Sequence, residues 1–263
     1  QGNSMTFTNR RDVGSITITK NIDQGSGTFR FDLTCNSVPV AGSPFDITIN
    51  APAVTGSVTV PNIPTGSNCT VDENPNGSTS GDFVQVTPSN NGVVNFTSTA
   101  ATQTATFVNH RKVGSLVIRK VFPQGSLGDP NQQFTFTWDC GPEPRTVTLK
   151  AGEQHVVSGI PTGTGCTVSE TANASYETTY SPQNGAVTIA QGENVVTVTN
   201  VRKTGTLELR KQLVPAADPG RFDLDVDGGA AEATGVGDGG TTGSITVPIG
   251  AHSIAEAVAA GNG

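Results

Sequence analysis

The chain has 263 residues, a net charge of −7 and 14% charged residues, and it is rich in glycine (32) and proline (16). This length allows two or three small domains, and a hydrophobic share of 34% leaves each of them a thin core. The acidic balance argues against nucleic acid and anionic membranes as partners, and no run of about 18 apolar residues predicts a membrane span.

An internal repeat defines the domain organisation. The pattern Gly-Ser/Thr-aliphatic-x-aliphatic-x-Lys, with any residue at x and alternation typical of a strand, occurs at residues 14–20, 114–120 and 205–211. These copies begin 100 and 91 residues apart (14 to 114 and 114 to 205), the size of a small β-sandwich. We therefore predict a closing strand of a preceding domain at 1–12, complete repeats at 13–112 and 113–203, and an incomplete repeat at 204–263.

Further strand-like segments follow in the same order. An aromatic strand ends in cysteine at 29–35 and 134–140, an Ile-Pro-Thr-Gly segment leads to Cys-Thr-Val-x-Glu at 63–73 and 160–170, and a closing strand ends in asparagine at 106–109 and 197–200. Residues 6–9 repeat the closing strand, and the third repeat has strands at 222–226 and 253–256 but none that closes it. With Asn-Gly turns at 76–77, 91–92 and 184–185, this predicts an all-β chain of tandem β-sandwich domains, expected to be a window of a longer array.

Three polar residues recur where the alternation predicts inward-facing side chains. In each complete repeat a lysine ends the opening strand, a glutamate follows the Cys-Thr-Val segment, and an asparagine ends the closing strand. These residues are Lys20, Glu73 and Asn109 in the first repeat, Lys120, Glu170 and Asn200 in the second, Lys211 and Glu256 in the third, and Asn9 near the N-terminus.

Such a trio has a chemical interpretation. Burying an unpaired Lys or Glu is costly, whereas a lysine desolvated among apolar groups has a lowered pKa and becomes a neutral nucleophile. A protonated glutamate in the same pocket would polarise the asparagine carboxamide and transfer protons while ammonia leaves. The predicted product is a Lys–Asn isopeptide bond between the first and last strands of the domain. The alternative is a buried Lys–Glu ion pair with a hydrogen-bonded asparagine and no covalent chemistry.

The second repeat resembles a known family in its opening strand, which ends in Lys120, in Cys166-Thr167-Val168-Ser169-Glu170, and in Val196-Thr197-Val198-Thr199-Asn200. It resembles the Cna-B-type domains, the prealbumin-like stalk domains of Gram-positive adhesins and pilins. The Ile-Pro-Thr-Gly-x-x-Cys-Thr-Val-x-Glu pattern is also similar to an uncharacterised domain found in tandem in actinobacterial surface proteins. The resemblance implies Ig-like or prealbumin-like sandwiches in an elongated array, in which lysine and asparagine are cross-linked and glutamate is the catalytic acid. By the same pattern these roles extend to Lys211, Glu256 and Asn9.

Four cysteines occupy equivalent positions, two in each complete repeat, and the natural pairs are Cys35–Cys69 and Cys140–Cys166. A zinc site is the alternative, but zinc usually needs four ligands in closely spaced pairs, and the sequence has no CxxC. Paired disulfides indicate an oxidising, extracellular location. We predict no metal or cofactor site, because the three histidines are isolated and the Gly-rich segment at 235–240 lacks the spacing of a calcium loop.

The sequence therefore predicts a non-enzymatic stalk or filament segment of a Gram-positive surface protein, whose partners are the neighbouring domains of the array. One alternative is an adhesin module that binds carbohydrate or host protein, although two tyrosines and one tryptophan supply few aromatic contacts. Another is a self-assembling filament in which residues 6–9 complete the third domain of a second copy. Basic pairs at 10–11, 111–112 and 202–203 follow each closing asparagine, and we interpret them as junction residues that meet acidic neighbours.

Overall fold

The computed structural model describes residues 2–74, 79–88 and 93–261, so the predicted turns at 76–77 and 91–92 lie outside the described residues. The chain forms two compact units. The first contains Gln1–Ser115, Ser158–Thr164 and Thr188–Asn194, and the second contains Leu116–Val157, Gly165–Val187 and Val195–Gly263. The described helices are short 3-10 turns, and none of them has the length and apolar character needed to cross a membrane.

The first repeat folds into two sheets, as the strand alternation predicts. Its strands are β1 (Val13–Ile22), β2 (Gly27–Cys35), β3 (Val38–Pro39), β4 (Phe45–Ile49), β5 (Thr55–Pro64), β6 (Asn68–Asn74), β7 (Phe83–Thr87), β8 (Val93–Thr97) and β9 (Thr102–Arg111), with a 3-10 helix at Thr79–Asp82. One sheet has the order β5-β1-β9-β7, and the other has β3-β2-β6-β8 with β4 also beside β2. Strand β1 is antiparallel to β5 and parallel to β9.

The core of this repeat lies between the two sheets. Buried and partly buried residues alternate along β1 and β2, so Ile16 and Ile18 from one sheet meet Phe29 and Phe31 from the other, all fully buried. On the opposite face of β1, threonine hydroxyls pair across strands, as in Thr17 Oγ1 to Thr59 Oγ1 at 2.9 Å. The period of two thus separates an apolar face from a threonine-rich outer face.

The second repeat has the same arrangement. Its strands are β10 (Val113–Val121), β11 (Phe134–Asp139), β12 (Arg145–Leu149), β13 (Gln154–Pro161), β14 (Gly165–Glu170), β15 (Tyr176–Ser181), β16 (Ala186–Thr188) and β17 (Gly192–Arg202). The sheets have the orders β13-β10-β17-β15 and β12-β11-β14-β16. The predicted turn at residues 184–185 is present, with φ values of +63° at Asn184 and +66° at Gly185. Both repeats are β-sandwiches, which confirms the predicted fold class.

The third repeat has smaller sheets. Its strands are β18 (Thr204–Leu207), β19 (Phe222–Val226), β20 (Ala233–Val236), β21 (Ile245–Pro248) and β22 (Ile254–Val258). They form a two-stranded sheet β18-β21 and a three-stranded sheet β20-β19-β22. Glu256 and Ile254 lie opposite the buried Leu224 and Val226 of β19, but the predicted burial of the β22 side chains is wrong, because Ile254 is 66% exposed and Glu256 is also exposed. Two strands do not make a sheet wide enough to cover this face.

The N-terminal segment also differs from its prediction. Residues 2–12 form no strand, Met5 and Phe7 are 84% and 89% exposed, and Asn9 is exposed. A strand needs a neighbour that satisfies its backbone hydrogen bonds. No described strand lies beside residues 6–9, so this segment does not form the strand that its apolar alternation predicts.

The glycine that opens each complete repeat is required by a close approach of the backbone. A Cβ on Gly114 would collide with the carbonyl oxygen of Ala190, whereas a Cβ on the equivalent Gly205 would meet no atom within contact distance. We therefore expect Gly114→Ala to lower the free energy of unfolding by about 1–3 kcal/mol, the cost of a small overpacking change. Denaturant unfolding measures this, with Gly205→Ala as the matched control at no more than about 0.5 kcal/mol. Equal effects of the two substitutions would contradict the steric explanation.

Candidate functional site

The lysine and the asparagine of the first repeat lie on adjacent strands of one sheet, and the glutamate comes from the other. Lys20 is on β1 and Asn109 is on β9, and the parallel register places Lys20 opposite Phe107 and Ile22 opposite Asn109. Glu73 is on β6, opposite Phe31 of β2. Because all three side chains point between the sheets, the fold brings together residues that are separated by up to 89 positions (20 to 109) in the chain.

The Glu73 carboxylate joins the other two side chains. Lys20 Nζ donates a hydrogen bond to Glu73 Oε2 at 2.8 Å, and Asn109 Nδ2 donates one to Glu73 Oε1 at 2.7 Å. The three residues are 0%, 5% and 2% exposed, respectively. A buried ion pair of this kind is costly to desolvate. Its presence is therefore weak evidence that the cluster serves only to stabilise the fold.

The environment of Lys20 favours the neutral amine. Burial lowers the pKa of Lys20 from its ordinary value of 10.5 to about 8, against the opposing effects of the hydrogen bond and charge of Glu73. Its Nζ also lies 4.7 Å from the centroid of the Phe29 ring. At neutral pH such a lysine carries a larger neutral fraction than a solvated one, which is what a nucleophilic amine requires.

The second repeat reproduces this cluster. Lys120 Nζ lies 3.0 Å from Glu170 Oε2, and Asn200 Nδ2 donates to Glu170 Oε1 at 2.6 Å. The side chains of Lys120 and Glu170 are both 0% exposed, and burial lowers the pKa of Lys120 as well. Thr178 Oγ1 adds a longer hydrogen bond to Glu170 Oε1 at 3.4 Å.

The third repeat contains only part of the cluster. Lys211 Nζ donates to both carboxylate oxygens of Glu256, at 2.9 and 2.8 Å, but the Glu256 side chain is 42% exposed. Within the described part of this repeat, no strand lies where β9 and β17 lie in the complete repeats. The structure therefore brings together two of the predicted residues here and does not bring the exposed Asn9 into a buried cluster.

An aromatic ring lies beneath each lysine, a contact that the sequence pattern did not predict. Phe29, Phe134 and Phe222 occupy equivalent positions on β2, β11 and β19, and the lysine Nζ lies 4.7, 4.4 and 4.0 Å from their ring centroids. The repeated aromatic position was visible in the sequence. Its contact with lysine was not, because that contact depends on how the two sheets face each other.

Each carboxamide leaves one polar atom without a hydrogen bond. Among the described residues, the buried Oδ1 atoms of Asn109 and Asn200 have no hydrogen-bond partner. A rotation of the amide by half a turn exchanges Oδ1 with Nδ2 and places Oδ1 on the glutamate. In that orientation a protonated carboxyl group would donate to this oxygen and draw electrons from the carboxamide carbon, which is the polarisation that attack by an amine requires.

The two predicted disulfides are present. Cys35 and Cys69 face each other in the β2–β6 pair with Cα atoms 4.0 Å apart, and Cys140 and Cys166 are 4.3 Å apart by the same measure. None of the described cysteines is free. Each disulfide connects the aromatic strand with the strand that carries the glutamate, so it fixes the sheet opposite the lysine.

Comparison with known proteins identifies the repeats and the fold. The family described as "Domain of unknown function (DUF5979)" matches residues 16–111 and 116–203, and each match contains one complete Lys–Glu–Asn cluster. Among solved structures, the Bacillus anthracis TIE protein is 19% identical with a TM-score of 0.56, and the alignment covers 94% of this chain and 46% of that protein. The major pilin from Streptococcus pyogenes is 14% identical with a TM-score of 0.47, and the alignment covers 74% of this chain and 99% of that protein.

At 19% identity, the similarity to the TIE protein is a similarity of fold. The chain spans less than half the length of the TIE protein that it matches. No curated protein matches the chain. Its chemistry must therefore be argued from its own residues.

Proposed function

The chain belongs to the family described as "Domain of unknown function (DUF5979)", and from this premise we propose that it is a structural stalk or filament segment of a Gram-positive surface protein. In this proposal the domains at 13–112 and 113–203 are each cross-linked by an isopeptide bond, Lys20 to Asn109 and Lys120 to Asn200. The glutamate of each domain acts once on its own chain, so the protein is a structural protein and not an enzyme.

One observation carries the proposal. In both complete repeats a buried glutamate contacts the lysine amine with one oxygen and the asparagine carboxamide with the other. A polar cluster that only holds two sheets together needs no asparagine amide beside a desolvated lysine. The glutamate thus holds the proposed nucleophile with one oxygen and the proposed electrophile with the other, and effective molarities of about 10⁵ M or more support such a reaction without an external enzyme.

The reaction balances without any other reagent. The neutral Lys20 Nζ attacks Cγ of Asn109, and the bond between Nζ and Cγ forms as the bond between Cγ and Nδ2 breaks. Glu73 accepts a proton from the attacking amine and delivers one to Nδ2, which leaves as ammonia. The product is a neutral amide between β1 and β9, and the carboxyl group returns to its starting state.

This link would give the domain mechanical strength. Strands β1 and β9 are the first and last strands of the first complete repeat, and they are adjacent and parallel. A covalent bond between them carries tension directly, so pulling on the chain does not separate the sheet. The disulfides support the extracellular part of the proposal, because disulfides persist in oxidising environments.

The intact mass of the reduced, denatured protein tests the proposal. We expect the measured mass to fall below the mass calculated from the sequence by two ammonia molecules, because each complete repeat loses one. Peptide mapping is then expected to recover Lys20 linked to Asn109 and Lys120 linked to Asn200.

An Asn109→Ala, Asn200→Ala double variant is the control, and its mass should equal the calculated value. A wild-type protein with the full calculated mass would reject the covalent proposal. It would leave a disulfide-linked sandwich array in which the three side chains form a polar contact.

A further inference from the structure

A second repeated set of contacts begins two residues after each closing asparagine. An arginine occupies this place at all three junctions, and its Nη2 donates a hydrogen bond to one backbone carbonyl oxygen of the repeat that follows. The pairs are Arg11 to Thr65, Arg111 to Thr162 at 2.8 Å, and Arg202 to Ile249 at 3.0 Å. The first two pairs lie within the first unit of the chain and the third lies within the second.

The residue whose carbonyl oxygen accepts the arginine hydrogen bond also makes a second hydrogen bond to the junction. Its amide donates to the carbonyl oxygen of the residue that follows the arginine. These bonds are Thr65 N to Asp12 O at 2.9 Å, Thr162 N to Lys112 O at 2.9 Å, and Ile249 N to Lys203 O at 3.0 Å. Each junction therefore has the same reciprocal pair of hydrogen bonds between a two-residue segment and one residue of the next repeat.

The arginine is also held by its own repeat. Arg111 pairs across the sheet with Phe83, and Arg202 pairs with Tyr176, and each guanidinium carbon lies 5.1 Å from the centroid of that ring. The Arg111 side chain is only 14% exposed, and its Nη2 lies 3.4 Å from Asp82 Oδ2. Stacking on an aromatic ring fixes the plane of the guanidinium and so directs its hydrogen bond to the acceptor.

The lysine that follows each of these two arginines also binds a carbonyl oxygen of its own repeat. Lys112 Nζ donates to the carbonyl oxygen of Gly81 at 2.7 Å, and Lys203 Nζ donates to that of Ala174 at 3.0 Å. The basic pairs thus bind mainly backbone carbonyl oxygens, where the sequence analysis expected acidic side chains. A carboxylate lies near Arg111, but the partner shared by all three arginines is a carbonyl oxygen.

The acceptor sits in a turn that the sequence specifies. Thr65 and Thr162 directly follow the prolines that end β5 and β13, and they precede Gly66 and Gly163, whose φ values are +74° and +85°. Glycine adopts this left-handed conformation without the penalty of a Cβ. The Ile-Pro-Thr-Gly pattern therefore has a structural role, since it presents one carbonyl oxygen and one amide to the preceding junction.

This device does not depend on the Lys–Glu–Asn cluster. The third repeat has no cysteine and no asparagine at the cluster, yet its Ile249 binds Arg202 in the same way. Arg11 binds Thr65 although residues 2–10 form no strand. We propose that each repeat carries a docking site for the Arg-containing junction of the repeat before it, and that this Arg clasp couples the stability of neighbouring repeats. The partner that fits the site is a segment with asparagine, any residue, and then arginine, held on an aromatic ring.

Hydrogen exchange of the full chain tests the clasp. In Arg111→Met we expect the Thr162 amide to exchange about tenfold faster, because the loss of a charged hydrogen bond lets this junction open more often. The Ile249 amide should keep its wild-type rate. In Arg202→Met the outcome should be reversed, with faster exchange at Ile249 and no change at Thr162.

Arg30→Met is the matched control, because Arg30 makes two hydrogen bonds to Asp46 within one sheet and faces no junction. It should change neither amide. An unchanged Thr162 rate in Arg111→Met and an unchanged Ile249 rate in Arg202→Met would overturn the proposal, as would equal acceleration at both amides in either variant. The mass deficit of the same samples is measured separately, so failure of the clasp and failure of the cross-link are distinguishable.

Discussion

Replacing Glu73 with glutamine is expected to prevent the cross-link in the first repeat and to leave the second repeat cross-linked. Glutamine keeps the size of the side chain and can still accept a hydrogen bond from Lys20, but it cannot carry a proton from the amine to the leaving nitrogen. General acid–base catalysis of this kind contributes about 10²–10⁴ in rate. The intact mass should therefore show the loss of one ammonia molecule where the wild type shows two.

Two further variants serve as the comparison and the control for this result. Glu170→Gln should produce the same total mass with the missing link in the second repeat, and peptide mapping separates the two cases. Glu177→Gln changes an exposed carboxylate on β15 and should keep both links. If Glu73→Gln still loses two ammonia molecules, Glu73 is not the proton carrier. If it loses none, the substitution has disturbed more than its own repeat.

The parts of the fold that follow from alternation were predictable. A strand with a period of two places Lys20 on the same face as Ile16 and Ile18, and the structure buries all three completely. The pairing of Cys35 with Cys69 was predictable for a similar reason, because equivalent positions in two repeats point to pairs within a repeat. Neither inference required knowledge of how the sheets pack.

The parts that depend on a second sheet were not predictable. Ile254 and Glu256 show the same alternation as their counterparts in the complete repeats, yet both are exposed. Alternation determines which side chains share a face, whereas burial requires another sheet to cover that face. The contact between Arg111 and Phe83 depends on strand register, which the sequence does not display.

Replacing Asn109 with alanine is expected to destabilise the first repeat and to make its stability depend on pH. The proposed cross-link would close the chain between residues 20 and 109, and loop-closure entropy for this length predicts a loss of about 4–5 kcal/mol. The Cys35–Cys69 disulfide lies inside that loop and already restricts the unfolded chain, so the measured loss should lie toward the lower end. Denaturant unfolding under non-reducing conditions gives this difference.

The pH dependence follows from the amine that the variant leaves free. Burial lowers the pKa of Lys20 from 10.5 to about 8, so between these values the unfolded chain binds more protons than the folded one. The free energy of unfolding of Asn109→Ala should therefore rise with pH through this window, by about 3 kcal/mol in total. In a wild type cross-linked as proposed, Lys20 Nζ would be an amide nitrogen that does not titrate, so this rise should be absent.

The variant Lys20→Met, Asn109→Ala isolates the contribution of this one amine. It removes the titrating group and the carboxamide together, so its curve should lack the rise while it keeps the titration of every other group. A wild-type curve that rises in parallel with that of Asn109→Ala would mean that Lys20 is a free amine in the native protein. In that case the cluster is an ion pair, and the covalent reinforcement of each complete repeat is its disulfide alone.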